Sequence, residues 1–306
     1  MKKIILLVIM ILFVSCSPLT QTEVAGNVDL NDLQPLPTPS DHETIPLRVA
    51  VAAVISPEGT VQSYSPFLAY IEKKLNRPIE LVQRRTYLEV NDLIEHGEVD
   101  MAFVCTSAYV EGHDTFGMEL LVAPQVNGET TYNSVLIVPS SSKSKNMSDL
   151  QDKVFAFTDP ISLSGRVYPT YLIHQLGATP EKFFSRTFFT YSHDEAIRAV
   201  ASGVADGAAV DSLVYEFAIT RDPSLAEKTK IIHRSPDFGI PPVVISPLTR
   251  PQVKADLQSL LLAMAYDPNA QDALTSIGVE SFVIIEDGAY DGVRELLDII
   301  PIPNSP

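Results

Sequence analysis

Apolar strands and amphipathic helices alternate along the chain from Leu47 to about Ile299. Runs such as Leu47–Ile55 and Val99–Val104 are short, apolar and bounded by polar residues, which predicts buried strands. In Pro251–Met264 apolar residues recur every three or four positions, which predicts a helix with one buried face. The alternation predicts an α/β fold with mixed, mostly parallel sheets and helices on both faces.

Two polar interruptions divide this pattern, one near residue 140 and one in the Pro-rich stretch at 235–242. We expect both to be crossings between two lobes. Lobe 1 would then consist of 47–138 plus 242–306, and lobe 2 of 139–241. Because ligands of open α/β sheets bind beyond the carboxyl ends of the strands, we expect the site in the cleft between the lobes.

The amino terminus has the pattern of an export signal. Two lysines precede the apolar run Ile4–Val14, which is too short to span a bilayer stably, and Cys16 follows a small residue. The junction resembles a bacterial lipobox, so we expect a lipoprotein signal peptide at 1–16 with lipid attached to Cys16. A simple secretory signal with an incidental cysteine is the alternative. Residues 17–46 are polar and rich in proline, which predicts a tether.

Charge and composition narrow the range of partners. Loss of residues 1–16 removes two lysines and leaves 20 basic against 38 acidic residues, a net charge of −18. Such a chain is a poor partner for nucleic acid, and it must hold any anion through local dipoles and a few placed donors. The six histidines lack metal-ligand spacing and no nucleotide-binding motif is present, so we expect neither metal nor cofactor.

The most informative segment is KVFAFTDPISLSGRVYPTYLIHQL at 153–176. After an apolar strand, Ser162 is placed to cap a helix that Gly177 would end. The first turn of such a helix offers unpaired N–H groups and the positive end of the dipole, and Ser162 and Ser164 add hydroxyls. Gly165 allows a ligand to approach the backbone closely. The segment therefore predicts an anion site, with an ordinary helix cap as the alternative.

Other predicted helix starts carry similar chemistry. Ser65 and Pro66 open one helix, Thr106 opens a second directly after a strand, and Ser192 with Glu195 forms a capping box for a third. A histidine in the first turn of that third helix favours its neutral form, which still donates one hydrogen bond. The candidate binding residues at these starts are Tyr64, Ser107, Tyr109, His193 and Asp211. Packing at the cleft edge, a solvated histidine and a simple N-cap are the alternatives.

Several of these stretches together resemble a known family. They include TSAYVEG at 106–112, TDPISLSGRVYPTYLI at 158–173 and YSHDEAIRAVASGVADGAAVDSLVYE at 191–216. Over 47–299 the chain resembles the phosphonate/phosphite-type solute-binding proteins of bacterial ABC importers. The resemblance implies a two-lobed, type II-like periplasmic-binding fold that captures a small oxyanion in the interlobe cleft and delivers it to ABC permease subunits. We also expect a monomer without enzymatic activity, exported and lipid-anchored at the outer face of the bacterial cytoplasmic membrane or in the periplasm.

The resemblance assigns roles to the serine-rich helix start. Ser162 and Ser164 fall where the family holds the phosphonate oxygens, next to Gly165. Leu163 stands where the family often has threonine, so at this position only the backbone N–H is available.

The resemblance also assigns ligand contacts to Tyr64, Tyr109 and His193. Asp211 falls near an acidic residue that meets an amino group on some ligands. A second acidic position of the aminoalkyl-phosphonate binders aligns near Ile240, where the carboxylate is missing. This favours phosphite, a short alkylphosphonate or another small oxyanion over a cationic ligand.

Two other functions are compatible with the same residues. A lipoprotein of this fold could sense a ligand and signal through a separate membrane protein. Ser164, His193 and Asp211 have the residue types of a hydrolase triad. The triad is the weaker alternative, because a nucleophile elbow needs glycine where Ser162 stands.

Overall fold

The computed structural model describes residues 45–302. The predicted signal peptide at 1–16, Cys16 and nearly all of the tether at 17–46 lie outside the described residues. The strands are β1 Leu47–Val51, β2 Ile79–Gln83, β3 Met101–Phe103, β4 Glu119–Gln125, β5 Thr131–Tyr132, β6 Ser134–Pro139, β7 Val154–Phe157, β8 Arg186–Phe189, β9 Gly207–Asp211, β10 Thr229–Arg234, β11 Phe238–Gly239, β12 Val243–Ile245 and β13 Ser281–Val283. The helices are α1 Pro57–Leu75, α2 Tyr87–Glu95, α3 Thr106–Phe116, α4 Tyr168–Gln175, α5 Pro180–Phe183, α6 His193–Ala201, α7 Ser212–Arg221, α8 Ser224–Lys228, α9 Pro251–Ala263, α10 Gln271–Ser276 and α11 Asp291–Ile299.

The strands form two main sheets. The first has the order β13-β4-β12-β3-β1-β2, and the second has the order β10-β6-β9-β7-β8. In the first sheet β1 is parallel to β2 and β3, whereas β12 and β13 pair antiparallel with their neighbours. In the second sheet β7 is parallel to β8 and β9, and β6 is antiparallel to both of its neighbours. The sheets are mixed, as predicted, but parallel pairs are not the majority.

One strand lies in a different sheet from the one predicted. We expected Ser134–Pro139 in lobe 1, but it pairs with β9 and β10 in the second sheet. The polar stretch that follows it is a connector within the second sheet's half, where the backbone N–H of Ser140 donates to the carbonyl of Lys228 at 2.8 Å. Polarity along the chain marks a connector, but it does not reveal which strands pair.

The chain passes between the two sheets twice, and the two passages lie side by side. The short strands β5 and β11 pair antiparallel there, with Phe238 opposite Tyr132 and Gly239 opposite Thr131. The first passage therefore lies at 126–133 rather than near residue 140, and the second lies at 235–242.

Helix α1 begins eight residues before the predicted start. Pro57 occupies its first turn, where a missing N–H costs nothing, and Pro66 lies inside the helix. The hydroxyl of Ser65, the predicted cap, instead donates to the carbonyl of Val61 at 2.5 Å within the helix. The helix continues through Pro66 because Phe67 and the turn that follows it are buried against the first sheet. Within residues 45–302 no helix is both long and apolar enough to cross a membrane.

Candidate functional site

The serine-rich segment after β7 forms the helix start that the sequence predicts. Ser162 is the N-cap, and its Oγ accepts the N–H of Gly165 at 3.1 Å. The first turn, Leu163–Val167, is a wide π-type turn that leads directly into α4. The helix ends as predicted, with Gly177 in the left-handed region at φ +72°. The four residues Ser162–Gly165 are buried.

A buried polar cluster lies against this helix start. It consists of Tyr87, Cys105, Tyr132, Thr158 and Ser164, and each of these residues is at most 4% exposed. Among the described residues, the hydroxyls of Tyr87, Tyr132 and Thr158 have no hydrogen-bond partner. Most buried hydroxyls in folded proteins are paired, so three unpaired ones at one place indicate a site for a ligand group.

Short contacts join the cluster to the helix start. A Cβ atom at Gly165 would lie 1.8 Å from the Oγ1 of Thr158, so only glycine fits against this hydroxyl. The hydroxyl of Tyr132 lies near those of Thr106 and Ser164 without making a hydrogen bond of ordinary geometry. The thiol of Cys105 lies near the backbone N–H of Leu163.

The tyrosine hydroxyls of the cluster are hydrogen-bond donors. Burial raises the pKa of the Tyr87 and Tyr132 hydroxyls well above the ordinary value, so both remain protonated. Leaving a buried hydroxyl unpaired costs about 1–3 kcal/mol, and a ligand with several acceptor oxygens would recover that cost. An oxyanion is such a ligand, because it accepts hydrogen bonds at every oxygen.

Ser107 and His193 are both buried near this site. The hydroxyl of Ser107 donates to the carbonyl of Ile161, just before the serine-rich turn. The Nδ1 of His193 accepts the backbone N–H of Asp211 at 3.0 Å, which leaves the ring proton on Nε2. Burial lowers the pKa of His193 to about 3, so the ring is a neutral donor, as its helix position predicts.

Asp211 is the N-cap of α7, which was the alternative to a binding role for this residue. Its Oδ1 accepts the N–H groups of Leu213 at 2.7 Å and Val214 at 3.3 Å. Burial raises the pKa of its carboxyl to about 7. The hydrolase triad is not formed, because a triad carboxylate must accept a proton from Nδ1 of the histidine, and the Nδ1 of His193 is itself an acceptor.

The capping box predicted at the start of α6 is also absent. The hydroxyl of Ser192 caps nothing, and Glu195 instead pairs with Arg198. Asp194 reaches out of the helix to the loop after β1, where it accepts the N–H of Ser56 at 2.8 Å and its hydroxyl at 2.7 Å. Contact with a distant loop therefore replaces the local cap.

The two tyrosines that the resemblance assigned do not belong to the cluster. The ring of Tyr64 lies on α1 and packs edge-on against Phe103, with centroids 5.1 Å apart. The hydroxyl of Tyr109 donates to Asp287 at 2.8 Å, and its ring packs against Tyr290. Neither side chain is among the unpaired hydroxyls.

Four residues of the cluster were not among the candidates predicted from the sequence, and they are Tyr87, Cys105, Tyr132 and Thr158. For Tyr87 a signal exists, because Thr86 and Glu89 form a complete capping box that makes this tyrosine the first residue of α2. For Tyr132 the strand is only two residues long and carries no periodic pattern. Within residues 45–302 no group of three or more His, Cys, Asp or Glu side chains is arranged to hold a metal ion.

Comparison with known proteins identifies the family. Residues 49–290 match the family described as ABC transporter, phosphonate, periplasmic substrate-binding protein. The chain belongs to this family. It is 26% identical over 288 residues to the phosphate-import protein PhnD of Mycolicibacterium smegmatis, which covers 86% of this chain and 89% of that protein. It is 23% identical over 265 residues to the phosphonates-binding periplasmic protein of Escherichia coli, covering 85% and 78%.

Solved structures share the fold. A binding protein component of an ABC phosphonate transporter from Pseudomonas aeruginosa superposes with a TM-score of 0.77 at 22% identity, covering 82% of this chain and 84% of that chain. PhnD1 of Prochlorococcus marinus in complex with methylphosphonate superposes with a TM-score of 0.75 at 18% identity, covering 84% and 98%. The family member described here therefore has the two-lobed periplasmic-binding fold.

Proposed function

We propose that this chain captures a small phosphorus oxyanion, such as phosphite or a short alkylphosphonate, between its two lobes and delivers it to the permease of an ABC importer. Lobe 1 is built on the first sheet and lobe 2 on the second, with crossings at 126–133 and 235–242. The protein acts as a monomer, held outside the cytoplasmic membrane by a lipid on Cys16.

The observation that carries this proposal is the buried polar cluster beside Ser162–Gly165. Three hydroxyls without partners converge there with the N–H groups of a capped helix start. The donors come from both halves of the molecule, since Tyr87 begins α2 beside the first sheet and Thr158 follows β7 of the second. A ligand bound to both sets would hold the lobes together.

The proposed mechanism is reversible capture. All the donors are neutral, so the anion is held by dipoles and hydrogen bonds rather than by a buried cation. Closure of the lobes excludes water, and hydrogen bonds to a charged acceptor are then strong because the local dielectric constant is low. Because the ligand contacts both lobes only in the closed form, it binds this form better and shifts the population towards it.

We propose binding without turnover. Removing a proton from the hydroxyl of Ser164 requires a base, and His193 holds its only basic nitrogen against the N–H of Asp211. The ligand therefore leaves unchanged when the lobes open.

The test removes only the unpaired hydroxyls. Tyr87→Phe and Tyr132→Phe each delete a group that the protein leaves without a partner, so thermal stability should be unchanged or slightly higher. Affinity for methylphosphonate should fall by about 1.5–3 kcal/mol per substitution, roughly 10- to 100-fold, because each variant loses a hydrogen bond to a charged acceptor. Isothermal titration calorimetry and thermal melting measure the two quantities.

Tyr109→Phe is the matched control. This tyrosine is equally buried, but its hydroxyl already donates to Asp287. The control should lose stability and keep its affinity for methylphosphonate, the reverse of the other two variants. Unchanged affinity in Tyr87→Phe and Tyr132→Phe would place the anion elsewhere.

A further inference from the structure

A second space lies between the lobes, beside the buried polar cluster. This apolar pocket has a volume of about 330 Å³. Val51, Tyr64 and Phe103 line its wall on the side of the first sheet, and Leu213 and Phe217 of α7 line the opposite wall. Its size lies within the range of small-molecule sites, and both lobes build it.

The apolar pocket adjoins the cluster. Asp211 lines the pocket and pairs with Ser134 of β6, whose hydroxyl donates to the carbonyl of Ser164 in the cluster at 2.7 Å. Val54 lines the pocket as well, and its carbonyl accepts the backbone N–H of His193 at 2.8 Å. A ligand whose oxyanion occupies the cluster can therefore extend a substituent into the pocket.

The walls exclude a charged substituent. Polar side chains contribute little to the lining, and they are Ser63, Asn127, Asp211, Glu216 and Thr220. No lysine, arginine or histidine is among the described residues that line the pocket, so an acidic substituent would meet two carboxyl groups and no cation.

A basic substituent fits poorly too. In the pocket it would find two carboxyl groups, those of Asp211 and Glu216, and one oxygen of Asp211 already accepts two backbone N–H groups. Burial raises the pKa of this carboxyl to about 7, which weakens it further as a partner for a cation. An ammonium group would lose its water against apolar walls without a full set of acceptors.

The volume indicates the size of the substituent. An apolar cavity of about 150 Å³ accommodates benzene, so the pocket has room for a phenyl ring or a chain of several carbons, whereas a methyl group would leave most of it empty. We propose that the ligand class of this protein is a phosphonate with an uncharged apolar substituent of about four to six carbons, aliphatic or aromatic. The oxyanion occupies the buried polar cluster and the substituent fills the apolar pocket. This inference rests on the proposed function.

A series of ligands with one head group tests the inference. Calorimetry on the purified chain would compare methylphosphonate, butylphosphonate, phenylphosphonate and 2-aminoethylphosphonate, with phosphite and phosphate as ligands without carbon. Each buried methylene improves affinity about fourfold, so butylphosphonate and phenylphosphonate should bind at least tenfold more tightly than methylphosphonate. The aminoethyl compound should bind at least tenfold more weakly than butylphosphonate.

The outcomes separate this inference from the proposed function. If methylphosphonate or the aminoethyl compound binds most tightly, the apolar substituent is wrong while phosphonate capture stands. If phosphite binds more tightly than every phosphonate, the inference fails in the same way. If no phosphonate and no phosphite binds, both proposals fail.

A variant that fills the pocket gives a second readout. Leu213→Phe adds volume to the wall formed by α7, so the ratio of butylphosphonate to methylphosphonate affinity should fall at least tenfold. Leu248→Phe is the matched control on an exposed site, 67% accessible, and should leave the ratio as it is. Should Leu213→Phe fold poorly, Phe217→Ser removes part of the same wall and should lower the same ratio. A ratio that neither pocket variant changes would overturn the inference.

Discussion

Asp211 combines a structural role with a position at the apolar pocket. Its carboxyl caps α7, lines the apolar pocket and is buried, which raises its pKa from 3.8 to about 7. At a pH between these two pKa values, the carboxyl of Asp211 keeps its proton in the folded protein and has lost it in the unfolded chain. The contribution of this group to stability is therefore fully present below about pH 4 and is lost as the pH rises through about 7.

Asp211→Asn should remove this dependence on pH. The amide oxygen can still accept the N–H groups of Leu213 and Val214, and no charge is buried. We expect the variant to melt at a higher temperature than the parent at pH 8 and to lose most of this advantage at pH 5, because the parent is then largely protonated. Circular dichroism measures the melting temperatures of the variant and the parent at both pH values. His193 is present in both proteins, so its contribution largely cancels in the difference between them.

Asp298→Asn is the control for this measurement, because Asp298 is exposed on α11. Its effect on the melting temperature should be small and similar at pH 5 and pH 8. If the melting temperatures of Asp211→Asn and the parent differ by the same amount at pH 5 and pH 8, the buried carboxyl is not the cause.

What the sequence reveals at this scale depends on how local the signal is. Ser162 as a cap follows from neighbouring residues, and the structure agrees. His193 is neutral as expected, but the cause is burial rather than its position on the helix. Tyr87 and Tyr132 are 45 residues apart and meet only through the tertiary fold, so no local pattern marks them.

At the scale of elements, the serine-rich turn depends on one glycine. Gly165 packs against Thr158, and an added Cβ would overlap the hydroxyl of that residue, its Cγ2 and its Cβ at 1.8, 2.7 and 2.8 Å. Thr158 lies directly after β7, and its N–H donates to the carbonyl of Gly165 at 3.4 Å. Neither Thr158 nor Gly165 can therefore move away from the other without disturbing the end of the strand.

Gly165→Ala should therefore cost both stability and binding. Overpacking of this kind costs about 1–3 kcal/mol, and the displaced turn would move its N–H groups away from the cluster. Chemical unfolding and titration with methylphosphonate measure the two losses. Gly292→Ala on α11 is the control, since beyond the local helix backbone no heavy atom lies within 4 Å of the added Cβ, and alanine favours a helix by up to about 1 kcal/mol. Equal behaviour of the two variants would contradict this role for Gly165.

Elements were predictable where their ends are set by neighbouring residues. The end of α4 at Gly177 and the start of α7 at Asp211 both match, because capping is a local event. The start of α1 and the sheet of β6 do not match. Pro66 stays helical because the far side of α1 is buried, and Ser134–Pro139 finds its partners 70 or more residues later in the chain.

At the scale of the whole molecule, hydrogen bonds connect the two lobes. Asp194 of α6 accepts two bonds from Ser56, which lies 138 residues earlier beside the first sheet. Asp159, which follows β7, accepts the N–H of Tyr87 at 3.1 Å in the same way. Because these bonds link the two lobes directly, we expect them to favour closure together with the ligand.

Asp194→Ala should shift the equilibrium between closed and open forms towards the open form. The fraction of closed protein multiplies the apparent affinity, so the loss of two bonds should weaken methylphosphonate binding roughly tenfold and raise the radius of gyration of the free protein in small-angle X-ray scattering. Saturating methylphosphonate should restore the compact radius. Glu195→Ala is the matched control, because Glu195 also pairs with Arg198 but makes no bond to Ser56. If both variants scatter and bind alike, these bonds do not govern closure, and the unpaired hydroxyls of the cluster must supply the whole preference of the ligand for the closed form.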